Sequence, residues 1–325
     1  MQEQRPRGYN PVTVASHVQT SGLDTLPLPG EQISRLIDRL AFQANRTAKS
    51  PTSDPVHDLR VAIRRLEQGL VTFKVHLPRK QVKRIRKQLK AVLSSAGALR
   101  DYDVAARILS KTGQPGAADL HREVKVRRKD AEKSLLVKLK RLSLRTRASK
   151  WRDDLKLNAP QADFHAGMLE TMARSTMPRL AQNLFAAGEA AAAHGSVEKL
   201  HDFRILVKKF RYALELFVPI YGPVAEEWMR EIRSVQSILG TINDYHTVLS
   251  IAGDVGGSTK LQAALKKSER RKIRQFREIW NDRFSRGTAA SWIRTLRGGG
   301  ENRRVVRKPT TRSTAVGQEL AAARA

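Results

Sequence analysis

Between residues 31 and 290 the apolar positions recur every three or four residues, and no stretch shows the period-two alternation of a half-buried strand. The pattern predicts an all-α chain. Ile33, Leu36, Ile37 and Leu40 mark a first helix from Glu31 to about Lys49, closed by Ser50-Pro51-Thr52-Ser53. Leu59, Ile63, Leu66, Leu70 and Phe73 then fall on one stripe of a second helix. Asp54 followed by Pro55 reads as its cap and first turn. His57 is therefore expected beside free backbone N–H groups, where the helix dipole favours anions. After Leu77-Pro78 a third helix runs from Arg79 to Leu99, with Lys83, Arg86, Lys87 and Lys90 crowded on one side.

The pattern repeats. His57-Asp58-Leu59-Arg60-Val61-Ala62-Ile63-Arg64-Arg65-Leu66 returns 144 residues later as His201-Asp202-Phe203-Arg204-Ile205-Leu206-Val207-Lys208-Lys209-Phe210, and Phe73 returns as Phe217. Gly97-Ala98-Leu99-Arg100-Asp101-Tyr102-Asp103 returns as Gly240-Thr241-Ile242-Asn243-Asp244-Tyr245-His246 at an offset of 143. One residue was lost or gained between the two motifs, which places the change in the connection after Phe73 or Phe217. In the 143 register Lys87 matches Arg230 and Lys90 matches Arg233, whereas Lys83 falls on Glu226 and Arg86 on Met229.

The predicted architecture is two four-helix bundles produced by an internal duplication and related by a pseudo-twofold axis. Residues 1–30 mix Pro, Gly, Ser and Thr without a helical period and read as a flexible arm. The first half spans 31–145. A linker over 146–162 contains Asn158-Ala159-Pro160, and the second half spans 163–297. That half opens with a helix from about Asp163 to Ala193 that Pro178 is expected to kink or split. Residues 298–325, starting Gly298-Gly299-Gly300, read as a disordered basic tail.

Composition changes this picture in three ways. Lys and Arg number 61 against 31 acidic residues, a formal charge of +30, and such self-repulsion is relieved by a polyanionic partner. The absence of cysteine excludes disulfides, thiolate metal sites and Cys nucleophiles. Aromatic residues are only 6% of the chain, so Leu, Ile, Val and Ala are expected to fill the core. No 18-residue apolar run and no signal-like N-terminus are present, which predicts a cytoplasmic protein without membrane insertion. No cofactor is expected.

Candidate chemistry sits on the flank of the repeated helix. His57, Arg60 and Arg64 at i, i+3 and i+7 form a second stripe, repeated by His201, Arg204 and Lys208. A single basic stripe is usually a solvated face, but the same three-position pattern, with a histidine each time, occurs twice. Lys87, Lys90, Arg230 and Arg233 are candidates on the neighbouring helices. Arg65 and Lys209, about 100° further round, are candidates for the rim. Asp101 and Asp244 read as orienting groups, and Tyr102 and Tyr245 as packing residues. The two histidines, crowded by Arg and Lys, are expected to take up protons when an anion binds.

The signature at 57–66, then Leu99-Arg100-Asp101-Tyr102-Asp103-Val104, then His201-Asp202-Phe203-Arg204 with Lys208-Lys209-Phe210-Arg211-Tyr212, resembles the conserved histidine α-helical domain family, CHAD, over roughly residues 31–297. The resemblance implies two four-helix bundles with a basic cavity or pore between them that binds inorganic polyphosphate. It also implies association with polyphosphate granules. Family members often carry a triphosphatase domain with a Glu-x-Glu-x-Lys motif, which this chain lacks, so the resemblance implies binding without catalysis. Strict repetition fails at two places, Arg100 against Asn243 and Asp103 against His246.

Two rivals remain at this stage. A nucleic-acid binder would suit the charge and the basic tail but lacks interleaved aromatics or a DNA-reading module. A metal-dependent phosphohydrolase would use the His-Asp pairs at 57 and 201, yet Arg and Lys around each pair would repel the cation.

Overall fold

A computed structural model describes residues 28–157 and 166–299. These residues form α-helices joined by short connections, with one 3-10 turn and no strand among them. In chain order the helices are α1 (Pro29–Lys49), α2 (Ser53–Thr72), α3 (Arg79–Leu109), α4 (Ala117–Leu142), α5 (Leu144–Asp154), α6 (Ala166–His194), α7 (Val197–Leu216), α8 (Val218–Tyr221), α9 (Pro223–Asp254), α10 (Thr259–Arg283) and α11 (Arg286–Leu296). Among the described residues no helix is long and apolar enough to cross a membrane. The expected arm up to residue 27, residues 158–165 of the expected linker and the tail from residue 300 lie outside the described residues.

The second half repeats the first in order and, outside the first helix of each half (21 residues in α1, 29 in α6), closely in helix length: α2 and α7 both have 20 residues, α5 and α11 both have 11, and α3 has 31 against 32 for α9. Each half therefore contains four long helices and a short fifth. The connection where the repeat shifts register is built differently, as a 3-10 turn at Lys74–His76 and as the four-residue α8.

Four boundaries differ from expectation. Helix α2 starts at Ser53 with Thr52 before it, so Asp54 lies in the first turn and does not cap. His57 is consequently in the second turn, beyond the free N–H groups. Helix α3 does not end at Leu99 but runs on to Leu109, because Leu99, Val104, Ala105 and Leu109 continue the buried face. The stretch read as a linker begins as helix α5, anchored by Trp151 at 1% exposure and by Leu144, Ala148 and Leu155. These sparse apolar residues were hidden among charges. Finally, α6 passes through Pro178 as one helix. Buried Met177 and Ala181 on either side keep that turn packed.

The halves meet along equivalent elements, as a twofold-like arrangement requires: α2 packs on α7 and α3 on α9. Phe73 and Phe217, matched in the repeat, meet edge to face with centroids 6.3 Å apart. One continuous core runs through both halves. A smaller cluster joins the far ends of α3 and α4 to those of α9 and α10 through Leu109, Leu120, Val124, Val248, Leu261 and Leu265. Tyr102 and Tyr245 pack against it, as expected.

The low aromatic content is concentrated where the overall figure does not reveal it. The first half is filled mainly by Leu, Ile and Val. In the second half Phe185, Phe203, Trp280, Phe284 and Trp292 form a ring cluster, with Trp280 and Phe284 stacked at 4.6 Å and Phe185 edge-on to Trp292 at 5.4 Å. Gly188 on α6 is part of this packing, since a Cβ there would lie 2.1 Å from the Trp280 ring. Trp280 is itself wedged against Phe185, Phe203 and Phe284 and cannot yield. Gly188→Ala should therefore destabilise the fold by about 1 to 3 kcal/mol from overpacking, although alanine favours a helix interior by ~1 kcal/mol. Thermal unfolding of the variant checks this, and an unchanged or higher Tm would contradict it.

Candidate functional site

Helices α2, α3, α7 and α9 line a half-open cavity of about 840 Å3. Its position follows from the pattern. On α2 the Leu59, Ile63, Leu66, Leu70 and Phe73 stripe is fully buried in the core, which turns the adjacent His57, Arg60, Arg64 flank toward the space between halves. The same logic on α7 buries Phe203, Val207, Phe210 and Phe217 and turns His201, Arg204 and Lys208 inward. All six line the cavity.

The next helices contribute residues that the sequence reading did not place among the anion-binding candidates. Helix α3 supplies Arg100, Asp101 and Tyr102, and α9 supplies Gln236, Asn243, Asp244 and His246. Arg211 and Tyr212 enter from the last turns of α7, with the guanidinium stacked 4.4 Å over the tyrosine ring. Six Arg and Lys side chains thus face two Asp carboxylates in one cavity. Arg100 and His246 could have been found, since both mark positions where the repeat is broken. Repetition gave no signal for Arg211, whose counterpart is Glu67, although Arg211 and Tyr212 lie in the stretch that carries the family resemblance.

Crowding of like charges leaves a clear electrostatic mark. Burial, then Arg204, Arg64, Arg60 and Arg211, lower the Lys208 pKa to about 6. Arg60 is lowered to about 10 by burial and then Arg64, with Arg204 and Arg100 adding to the effect and Asp101 opposing it. His57 keeps an exposed edge, yet the protein packed around it and then Arg100 lower its pKa as well. Burial raises the Asp101 carboxyl, opposed first by Arg60 and Arg204 and reinforced by Asp244 across the twofold. Asp244 is also raised by burial, against the pull of Arg107, whose guanidinium lies 3.3 Å away. The Nε atoms of Arg204 and Arg211 are buried with no hydrogen-bond partner among the described residues. Such a cavity favours a ligand that brings several negative charges and acceptor oxygens.

The remaining candidates do not line this cavity. Arg65 is held by Glu215, with Nε to Oε2 at 2.8 Å and NH2 to Oε1 at 3.2 Å, and Arg211 approaches the same carboxylate at 2.6 Å. This network ties α2 to α7. Lys209 is exposed outside the cavity. Lys87 and Lys90 are exposed on a part of α3 about 12 Å or more before the segment that reaches the cavity, given 1.5 Å per helical residue. Arg230 and Arg233 are exposed on α9, and Arg233 lines an adjoining depression of about 350 Å3 with Arg39, Gln43 and Arg65, which shares His57 and Arg211 with the cavity. Among the described residues no group of three or more His, Cys, Asp or Glu side chains comes together to hold a metal ion.

An all-helical fold, repeated in sequence, with a cation-lined cavity where its equivalent helices meet defines the class of this protein. The sequence model of the CHAD domain matches residues 31–251, and the chain belongs to that family. Polyphosphate binding is known for the family, whose domain is of a binding rather than an enzymatic type. Two solved structures share the fold. The crystal structure of the CHAD domain from the plant Ricinus communis has 19% identity and a TM-score of 0.55, covering 90% of this chain and 98% of that one. PptA from Streptomyces chartreusis has 17% identity and a TM-score of 0.56, covering 79% and 99%. No curated protein matches the chain.

Proposed function

We propose that this protein binds inorganic polyphosphate, without catalysis, in the cavity between its two helical halves, and that this binding associates it with polyphosphate granules. The observation that carries the reading is the convergence of His57, Arg60, Arg64, His201, Arg204 and Lys208, drawn from two stretches 144 residues apart, on one 840 Å3 cavity. Polyphosphate presents about one negative charge per internal unit and no base or sugar. It is therefore recognised by charge and geometry, through the planar fork of Arg and the point charge of Lys. A charge-assisted hydrogen bond contributes about 1.5 to 3 kcal/mol, so a few contacts inside the cavity outweigh the scattered exposed cations. Asp101 and Asp244 offset part of the repulsion among the arginines in the empty cavity.

Titration with polyphosphates of graded length, alongside pyrophosphate, ATP and duplex DNA at moderate salt, tests the reading. Affinity should rise with chain length and exceed that for ATP and DNA. Tighter binding of DNA, or phosphate release on incubation with or without divalent metal, would replace the reading with nucleic-acid binding or hydrolysis respectively.

A further inference from the structure

Gly97 and Gly240 occupy matching positions in the repeat, inside α3 and α9. A glycine in a helix interior is unfavourable by ~1 kcal/mol relative to alanine, so each position invites a reason. The structure supplies a different one for each: Gly240 borders the open cavity itself, whereas Gly97 is packed against Arg60. A Cβ built there would sit 2.8 Å from an Nη of Arg60, whereas a Cβ on Gly240 meets nothing within 4 Å. The same Arg60 nitrogen donates to the Leu93 carbonyl at 3.3 Å. In an α-helix that carbonyl also accepts from the N–H of residue 97. One Nη of Arg60 thus rests on the bare backbone of α3, in the space the missing side chain leaves open. Its counterpart Arg204 instead has a buried Nε with no partner among the described residues.

We propose that Gly97 is a positioning residue: its missing side chain lets Arg60 dock on the α3 backbone, fixing one guanidinium of the cavity as a preformed anchor for a phosphate group while Arg204 remains adjustable. The proposal rests on the polyphosphate reading of the cavity. A docked arginine has already lost its rotamer freedom before the ligand arrives, which spares that entropy on binding. An undocked one opposite can follow whatever spacing the chain presents. Asp101 does not replace the backbone contact, because it acts on Arg60 and Arg204 alike.

The test compares Gly97→Ala and Arg60→Gln, singly and combined, using a long-chain polyphosphate as probe. A methyl at 97 meets only the far end of a flexible side chain, so the variant should fold and Arg60 should move. Gly97→Ala is expected to bind about tenfold more weakly, the weakening of one charge-assisted hydrogen bond. In the Arg60→Gln background Gly97→Ala should have no further effect, which a general disturbance of α3 would not reproduce. Equal affinity of parent and Gly97→Ala, or full additivity with Arg60→Gln, overturns the proposal and leaves the function intact. If the parent itself binds no polyphosphate, the functional reading fails. The guanidinium NMR signal of Arg60 in the free protein then still decides the docking, and a signal identical in parent and Gly97→Ala overturns it.

Discussion

Polyphosphate binding should fall by about a thousandfold when Arg60 and Arg204 are reversed together to Glu, since two charge-assisted contacts are lost and two repulsions take their place. Both arginines line the cavity, face Asp101 and occupy matching positions in the repeat. The appropriate control changes net charge equally at exposed sites outside the cavity. Lys125 on α4 and Lys260 on α10 serve, and K125E with K260E should lose only a few-fold through the long-range field. Four carboxylates around one cavity could also loosen the fold. Arg60→Gln with Arg204→Gln is therefore measured beside the reversal, with circular dichroism on each, and should still lose about a hundredfold. If the exposed control loses as much as the cavity variants, the polyanion is held by the protein's general charge and the cavity reading fails.

The second large effect is on pH. In the empty cavity Lys208 has a pKa of about 6, so at pH 8 it is mostly neutral. The groups facing it are Arg204, Arg64, Arg60 and Arg211, with His57 and Asp244 also within its field. A polyanion adds negative charge among these cations and pulls the Lys208 pKa back up, so binding takes up a proton. Affinity then rises as pH falls, by up to about tenfold per unit. The gain reaches about fiftyfold between pH 8 and pH 6 if the bound pKa lies well above 8, and levels off below about 6, where Lys208 is charged even without ligand. His57, lowered from its ordinary value, adds a smaller share at the acid end.

Lys208→Gln should remove most of this slope and bind weakly throughout. Lys208→Arg, charged at every accessible pH, should bind at pH 8 more tightly than the parent and with a flat profile. Isothermal titration at fixed ionic strength, in two buffers of different ionisation enthalpy, gives both the affinity and the protons taken up. A flat profile in the parent would contradict the assignment. The stability of the unliganded protein has a linked sign. The folded state holds fewer protons at Lys208 than the unfolded chain between about pH 6 and the ordinary lysine range. Stability therefore increases with pH across that window.

This pH behaviour shows how far residue pattern reaches. The expectation of proton uptake arose from histidines set among cations, and His57 is indeed lowered. The largest displacement falls instead on a lysine. Periodicity could not find it, because a lysine at pKa 6 and one at its ordinary value look identical in a chain; only the number of guanidiniums and the amount of protein around it separate them.

What the chain by itself determined is therefore considerable. Helical periodicity decided the all-α class, since a stripe such as Leu59 to Phe73 can be buried only if the segment is helical. The duplication was legible from His57 and His201 onward, and two facing copies of one basic flank already implied a shared site. Tertiary structure decided which cations share it. Arg65, one position from Arg64, is rotated about 100° and captured by Glu215 from the other half, a contact between residues 150 apart in the chain. Lys87 and Lys90 have the right residue type and spacing but lie on a part of α3 that never reaches the cavity. Arg100, Arg211 and His246 enter only because helices from both halves pack side by side. Local pattern sets which face of a helix is polar. Which polar faces meet is set by how the buried faces pack, Phe73 against Phe217 among them, and by that contact the cavity is made.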